Sequence, residues 1–412
     1  MSMKIKAAIL VCSAAVLVFM VVGGLNGVRA SSNEGAYRQL QVYSEVLSRV
    51  RSEYVEEPNI PAVTDGALHG LLESLDPNSS YLSPAEYKDY KSHKTEARGD
   101  IGAAISKRFG YAAVISVVPG GPADKAGLEN GDIIEAIDGK STRDMSLAEI
   151  ATELSGQPGS NVNLSIVRAR RAEPQRVTVT RDVITLPPVS EKMLDDGVGY
   201  VRPYVLTRGR TQEIAAHLKL LEKQGARKFI LDLRDCSVGD ENEGVAVANL
   251  FLNHGVITYL QGQKFPKETF NADPQKDITN MPLVVMVNRG TSGPAEIAAA
   301  AVMENARGDV VGDKTFGTGG VQKVIEIPDG SALILTVAKY YTPAGKAIQD
   351  TAITPNILVA DADEADLALP DEDQDSGVDR EFRKEERQKQ DEQLRRSIEV
   401  LKNKELKAAA TQ

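Results

Sequence analysis

Two short runs leave almost no polar face for water: Phe229-Ile230-Leu231-Asp232-Leu233 and Leu283-Val284-Val285-Met286-Val287. Side chains alternate sides along a strand, so such runs need apolar cover above and below. The pattern around them supplies that cover. Helical spacing runs through 211–224 and 243–252, and an Ala-rich helix starts at Ser292 or its neighbours and continues through Met303. Further strands are read at 199–203, 309–311, 324–327 and 333–338. From Gly197 onward the chain therefore reads as an α/β layer.

Before this layer the pattern is different. Between about Gly99 and Asp182, short β-branched runs (113–118, 133–137, 162–167, 177–179) alternate with glycine turns. One helix fits at 146–154. Still earlier, Leu40, Tyr43, Leu47, Val50 and Tyr54 recur at helical spacing, and a second helix is read at 60–75. Asp76-Pro77-Asn78-Ser79-Ser80 then reads as a turn, and Ser83-Pro84 as the start of a third helix. At 412 residues the chain is too long for one core, so several units are expected.

The two ends read as something other than core. Lys4 and Lys6 precede an apolar run over 7–22, and Val28-x-Ala30 suits a cleavage site, which describes a secretory signal or an uncleaved membrane anchor. Either outcome places the rest of the chain outside the cytoplasm, in a periplasm or cell envelope. Residues 371–379 read as an acidic linker. Residues 380–407 read as a charged helix with Leu394, Ile398 and Leu401 on one face, either solvated or used for docking or oligomerisation. The net charge of −10 excludes a general nucleic-acid binder. His69, His93, His217 and His254 show no metal-ligand spacing, so no metal or cofactor is expected.

Four segments together carry a resemblance. They are Leu72-Glu73-Ser74-Leu75-Asp76-Pro77-Asn78-Ser79-Ser80-Tyr81-Leu82; Val117-Val118-Pro119-Gly120-Gly121-Pro122-Ala123 through Gly131-Asp132-Ile133-Ile134; Ile230-Leu231-Asp232-Leu233-Arg234; and Val287 through Gln322, followed by Ala338 to Gln349. In this order they resemble the C-terminal processing, or tail-specific, peptidases, which are serine–lysine peptidases with an embedded PDZ domain. The resemblance implies an α+β multidomain fold: a leader or anchor (1–30), a helical segment (34–97), a PDZ-like domain (98–182), a ClpP/crotonase-like α/β core (183–360), and an acidic linker with a charged helix (361–412). The partners expected are protein or peptide C-termini. An active protease relative, an adaptor and a second copy of the chain are further candidates.

The same resemblance places the chemistry. A serine–lysine peptidase needs a hydroxyl beside an amine whose pKa burial has lowered, with backbone N–H groups for the oxyanion. The family's nucleophile falls on Gly293 within Thr291-Ser292-Gly293-Pro294-Ala295-Glu296-Ile297, and its lysine falls on Thr318 within Thr315-Phe316-Gly317-Thr318-Gly319-Gly320-Val321-Gln322. Gln322 is the residue that orients that lysine in the family. The oxyanion region reads Leu233-Arg234-Asp235-Cys236-Ser237-Val238-Gly239, without the family's proline and one of its glycines. Val238 is expected to resist glycine-only backbone angles. Ser292 and Lys314 form a shifted candidate pair, Ser292 otherwise serving as a helix N-cap and Lys314 as a loop residue. The peptide-carboxylate loop falls on Gly99, Asp100, Ile101 and Gly102, with Arg98 in a position to offset the charge of Asp100. The expectation is a catalytically degenerate peptide-binding or scaffold homologue; the alternative is an active endopeptidase using Ser292 and Lys314.

Overall fold

The computed structural model describes residues 37–93, 99–168, 173–360 and 391–410. The leader, Cys12 and the acidic linker lie outside them. Residues 1–68 and 69–412 form two compact units. In the first, residues 37–53 are helical and a second helix begins at Ile60. Leu40 and Tyr54, read from the sequence as part of one apolar face, are 63% exposed each. Among the described residues no helix is long and apolar enough to cross a membrane.

In the second unit, the glycine-punctuated stretch forms an antiparallel sheet. Its order is Ala103–Arg108, Tyr111–Val117, Ile133–Ile137, Asn161–Val167, Gln175–Thr180. Helix Leu147–Leu154 covers it, with Ile150 and Leu154 buried against Ile101, Ile134 and Leu164. Ser146 and Glu149 close that helix's first turn reciprocally, as a capping box. The strand at 103–108 escaped the sequence reading because its only long apolar residue is Ile105.

The α/β layer is a mostly parallel sheet in the order Ile357–Leu358, Asp309–Gly312, Leu283–Val287, Lys228–Asp232, Val198–Arg202, Ser190–Leu194. The last strand alone runs antiparallel. The two apolar runs show why they lack a polar face. Phe229, Leu231, Val285 and Val287 point into one core with helices Arg210–Lys223, Glu241–Asn249 and Pro294–Glu304. Ile230, Val284 and Met286 point into another, closed by Val400 and Leu401 of helix Glu392–Ala410. The C-terminal helix is thus a docking helix and not a solvated one: Leu394, Ile398 and Leu401 pack on this chain's own sheet. Complete burial of one leucine side chain is worth about 1.5–3 kcal/mol.

A buried ion cluster ties this helix down. Asp232 is 0% exposed and accepts from Tyr200 Oη at 2.6 Å and Arg234 Nη2 at 2.7 Å. Arg234 also reaches Asp391, just before the helix, at 2.8 Å. Burial alone would raise the pKa of Asp232, yet Arg234 and Arg202 hold it well below the usual carboxylate range. A third sheet joins Ser80–Leu82, Ala332–Tyr341, Val256–Gln261 and Glu268–Asn271, with Gly320–Glu326 paired to Ala332–Tyr341. The turn read at 76–80 docks here: Asp76 Oδ1 accepts from the N–H groups of Asn78 and Ser79 and from Thr336 Oγ1.

Candidate active site and peptide-binding loop

Strand Leu283–Val287 runs into the segment 288–293 and then into helix Pro294–Glu304. The turn between them is stitched from below. Thr291 Oγ1 donates to Leu233 O at 2.8 Å, and Ser292 N donates to Cys236 O at 3.0 Å. Gly293 is the helix N-cap, with φ 58° and ψ −118°, a backbone that side-chain-bearing residues adopt only under strain. A strained strand-to-helix turn is the device by which α/β-hydrolases present a nucleophile. A Cβ added at Gly293 would meet no atom within 4 Å beyond its chain neighbours. The turn therefore keeps its shape and an open space in front of it, with no side chain to fill that space.

Glu296 holds the turn and the segment facing it together. Its carboxylate is 0% exposed and accepts from Gly293 N at 3.0 Å, Gly317 N at 2.8 Å, Thr318 N at 2.8 Å and Thr315 Oγ1. Burial pushes its pKa up to about 7, against the pull of these donors. Gly293 and Thr318, 25 residues apart in sequence (318 − 293), thus donate to the same oxygen of one carboxylate. The sequence reading used Glu296 only to fix register; its role as a clamp required the fold. Gln322 donates to Thr336 Oγ1 at 3.4 Å on the strand that follows.

The shifted pair is not brought together. Ser292 is 2% exposed, Lys314 is exposed, and no hydrogen bond joins them among the described residues. Nor is Ser292 the N-cap, since Gly293 occupies that place. Cys236 is fully buried, and burial pushes its thiol pKa up, away from the reactive thiolate.

The oxyanion region places its left-handed backbone three residues before Val238. The positive φ of 59° falls on Asp235, and Val238 adopts no such angle. Val238 O accepts from Leu206 N at 2.8 Å, and Asp240 N donates to Leu206 O at 2.9 Å, so the loop is laced to residue 206. A Cβ at Gly239 would lie 2.4 Å from Leu206 O, so glycine is required there by close approach. Among the described residues no acceptor is assigned to the N–H of Val238 or of Gly239. Asp235 also touches the β-rich module, accepting from Asn130 Nδ2 at 2.7 Å, and Ser237 pairs with Ser116.

The peptide-carboxylate loop is heavily bonded. Gly99 N donates to Gly156 O at 2.7 Å, and Asp100 N to Asp182 O at 2.9 Å. Gly102 N donates to Asp100 Oδ1 at 2.7 Å, while Ser155 Oγ donates to Asp100 Oδ2 at 3.1 Å. Arg98, read as the offset to Asp100, lies outside the described residues.

Elsewhere, His69, Glu86 and Glu149 place ligand atoms within 4.8 Å of one another, a grouping that sequence spacing does not reveal. Both carboxylates accept from the N-cap backbone of their own helices, Ser83 N at 2.7 Å and Ser146 N at 2.6 Å. A cavity of about 530 Å³ beside them, lined by Leu82, Tyr90, Met145 and Glu149, contains no residue of the turn at 288–293.

Comparison with known proteins agrees with this geometry. Residues 197–359 match peptidase family S41, and residues 114–168 match a PDZ domain. A carboxy-terminal-processing protease of Bartonella bacilliformis is 31% identical over 81% of this chain and 77% of its own length. A carboxyl-terminal-processing protease of Picosynechococcus sp. is 36% identical over 71% of this chain and 72% of its own. The solved photosystem II D1 C-terminal processing protease superposes with a TM-score of 0.65 at 28% identity, covering 77% of this chain and 86% of that one. Sheet order, the embedded module and these relatives agree, and the chain belongs to peptidase family S41, the C-terminal processing peptidases with a PDZ domain.

Proposed function

We propose that this chain is an exported, catalytically silent member of its family that binds extended protein tails and acts as a scaffold or as the partner of an active relative. One observation carries the reading: the strained turn at Gly293 offers a bare α-carbon to an open space, and the facing position, Thr318, brings no amine. Threonine is no base at neutral pH, and a hydrogen atom cannot attack a carbonyl. The backbone is nonetheless preserved as a docking frame, with the N–H groups of Val238 and Gly239 unclaimed among the described residues. Export rests on the leader pattern alone, a basic start followed by the apolar run at 7–22.

The competing reading, an endopeptidase using Ser292 and Lys314, needs a hydroxyl and an amine in contact. The burial of Ser292 and the exposure of Lys314 stand against it. The deciding experiment incubates the purified protein with an unfolded protein substrate and, separately, with a serine-reactive fluorophosphonate. No cleavage and no adduct are expected. Cleavage abolished by Ser292→Ala, or an adduct mapped to Ser292, would overturn the proposal.

A further inference from the structure

In a PDZ-type site an extended peptide adds a strand to a sheet edge, and its terminal carboxylate is held by backbone N–H groups. Strand Ala103–Arg108 is such an edge, paired only with Tyr111–Val117 in its sheet. The loop entering that strand is where the carboxylate would be held. Three of its four backbone donors are spoken for, and only Ile101 N has no acceptor assigned among the described residues: Gly99 N and Asp100 N are consumed by the backbone bridges to Gly156 and Asp182. Gly102 N is consumed by the chain's own carboxylate, Asp100 Oδ1. That carboxylate is held on its other side, where Oδ2 accepts from Ser155 Oγ at the C-cap of helix Leu147–Leu154.

We propose that Asp100 is a built-in substitute for a ligand's terminal carboxylate, so that the module recognises a protein tail by its extended backbone and not by its charged end. The inference rests on the peptide-binding reading given above and fixes the ligand's chemistry within it. A free C-terminus using Gly102 N must displace Asp100, and one held by Ile101 N alone still comes to rest beside a like charge. Arg181 donates to Leu154 O, Glu153 O, Asn161 O and Ser160 Oγ, which occupy four of its N–H groups and leave its charge in place, so it offers an incoming carboxylate little direct bonding. A peptide ending in a carboxamide, or an internal segment passing through, pays neither cost. Replacing Asp100 by glycine exposes the Gly102 N–H and removes the charge together.

The test is a fluorescence-anisotropy titration of the full-length protein. The probes are two pools of fluorescein-labelled decapeptides, randomised at the last three positions, one as free acids and one as carboxamides. The wild type is expected to bind both pools within about twofold, and Asp100→Gly to favour the free acids by about tenfold or more. Asp100→Asn keeps an acceptor for Gly102 N without the charge and is expected to fall between. It also serves as the reading should the glycine variant fail to fold. A wild type that prefers free acids tenfold would overturn the substitution role while leaving peptide binding intact. So would Asp100 variants, both folded, that leave the ratio unchanged. Failure of every form to bind either pool would take the peptide-binding reading down with it.

Discussion

On the reading proposed above, the turn at Gly293 and the loop at Asp100 differ from a serine–lysine peptidase in opposite directions. At the first, backbone geometry is kept and a side chain is missing: φ is 58°, the space ahead is open, and Glu296 still grips both flanking segments. At the second, a side chain is present where a bare backbone would serve, and it has taken the donor for itself. On the proposed reading, loss at one place and gain at the other lead to the same result, a site that keeps its frame and does not complete the family's chemistry. The frame is expensive to alter because each turn is bonded to several elements. The side chain at its tip is bonded to few.

The sharpest way to break this contrast is to put the missing groups back. Gly293→Ser with Thr318→Lys should raise hydrolysis of a chromogenic peptide by about 10²-fold or more over wild type. The open space at Gly293 gives the new hydroxyl room, and the clamp by Glu296 brings the two backbone positions to one carboxylate. A folded double variant with no gain would show that the frame itself has drifted.

A second test addresses the clamp. The folded pKa of Glu296, about 7, lies above its ordinary value of 4.5, so the folded protein holds a proton that the unfolded chain has released. That stabilisation is complete below about pH 4.5 and is lost as pH rises through about 7. Glu296→Gln should flatten the decline in stability across this window, a difference of about 3 kcal/mol between its ends. An unchanged pH profile would remove Glu296 as its source.

The smallest expected effect lies at the loop. Ser155→Ala removes one of the bonds holding the Asp100 carboxylate, worth about 0.5–1.5 kcal/mol. Affinity for free-acid peptides should rise a few-fold, with carboxamide binding unchanged. Equal changes for both would mean that Ser155 acts on the strand rather than on the carboxylate.

Much of this was legible in the sequence because it is written in periodicity and local turn chemistry. The runs 229–233 and 283–287 demanded two-sided cover, and the structure supplies it from two cores. Ser83-Pro84 opens a helix as read, at Pro84–His93. What escaped was set by partners distant in the chain. The Ala103–Arg108 strand gains its identity from pairing, Glu296 its clamping role from loops nineteen to twenty-two residues away, and the C-terminal helix, itself read from the sequence, its ion-pair anchor from Arg234, 157 residues before Asp391. The N-cap assignment to Ser292 failed because residue 293 carries the irregular angles, and only glycine adopts them freely.

The docking of Val400 and Leu401 has a temporal meaning. Val400 follows the sheet's last strand, Ile357–Leu358, by 42 residues (400 − 358), so one face of the α/β sheet stays bare until that later stretch has been made. A nascent chain must carry that sticky surface throughout elongation, a state prone to aggregation. Removing helix Glu392–Ala410 would not shorten a tail; it would reopen a wall.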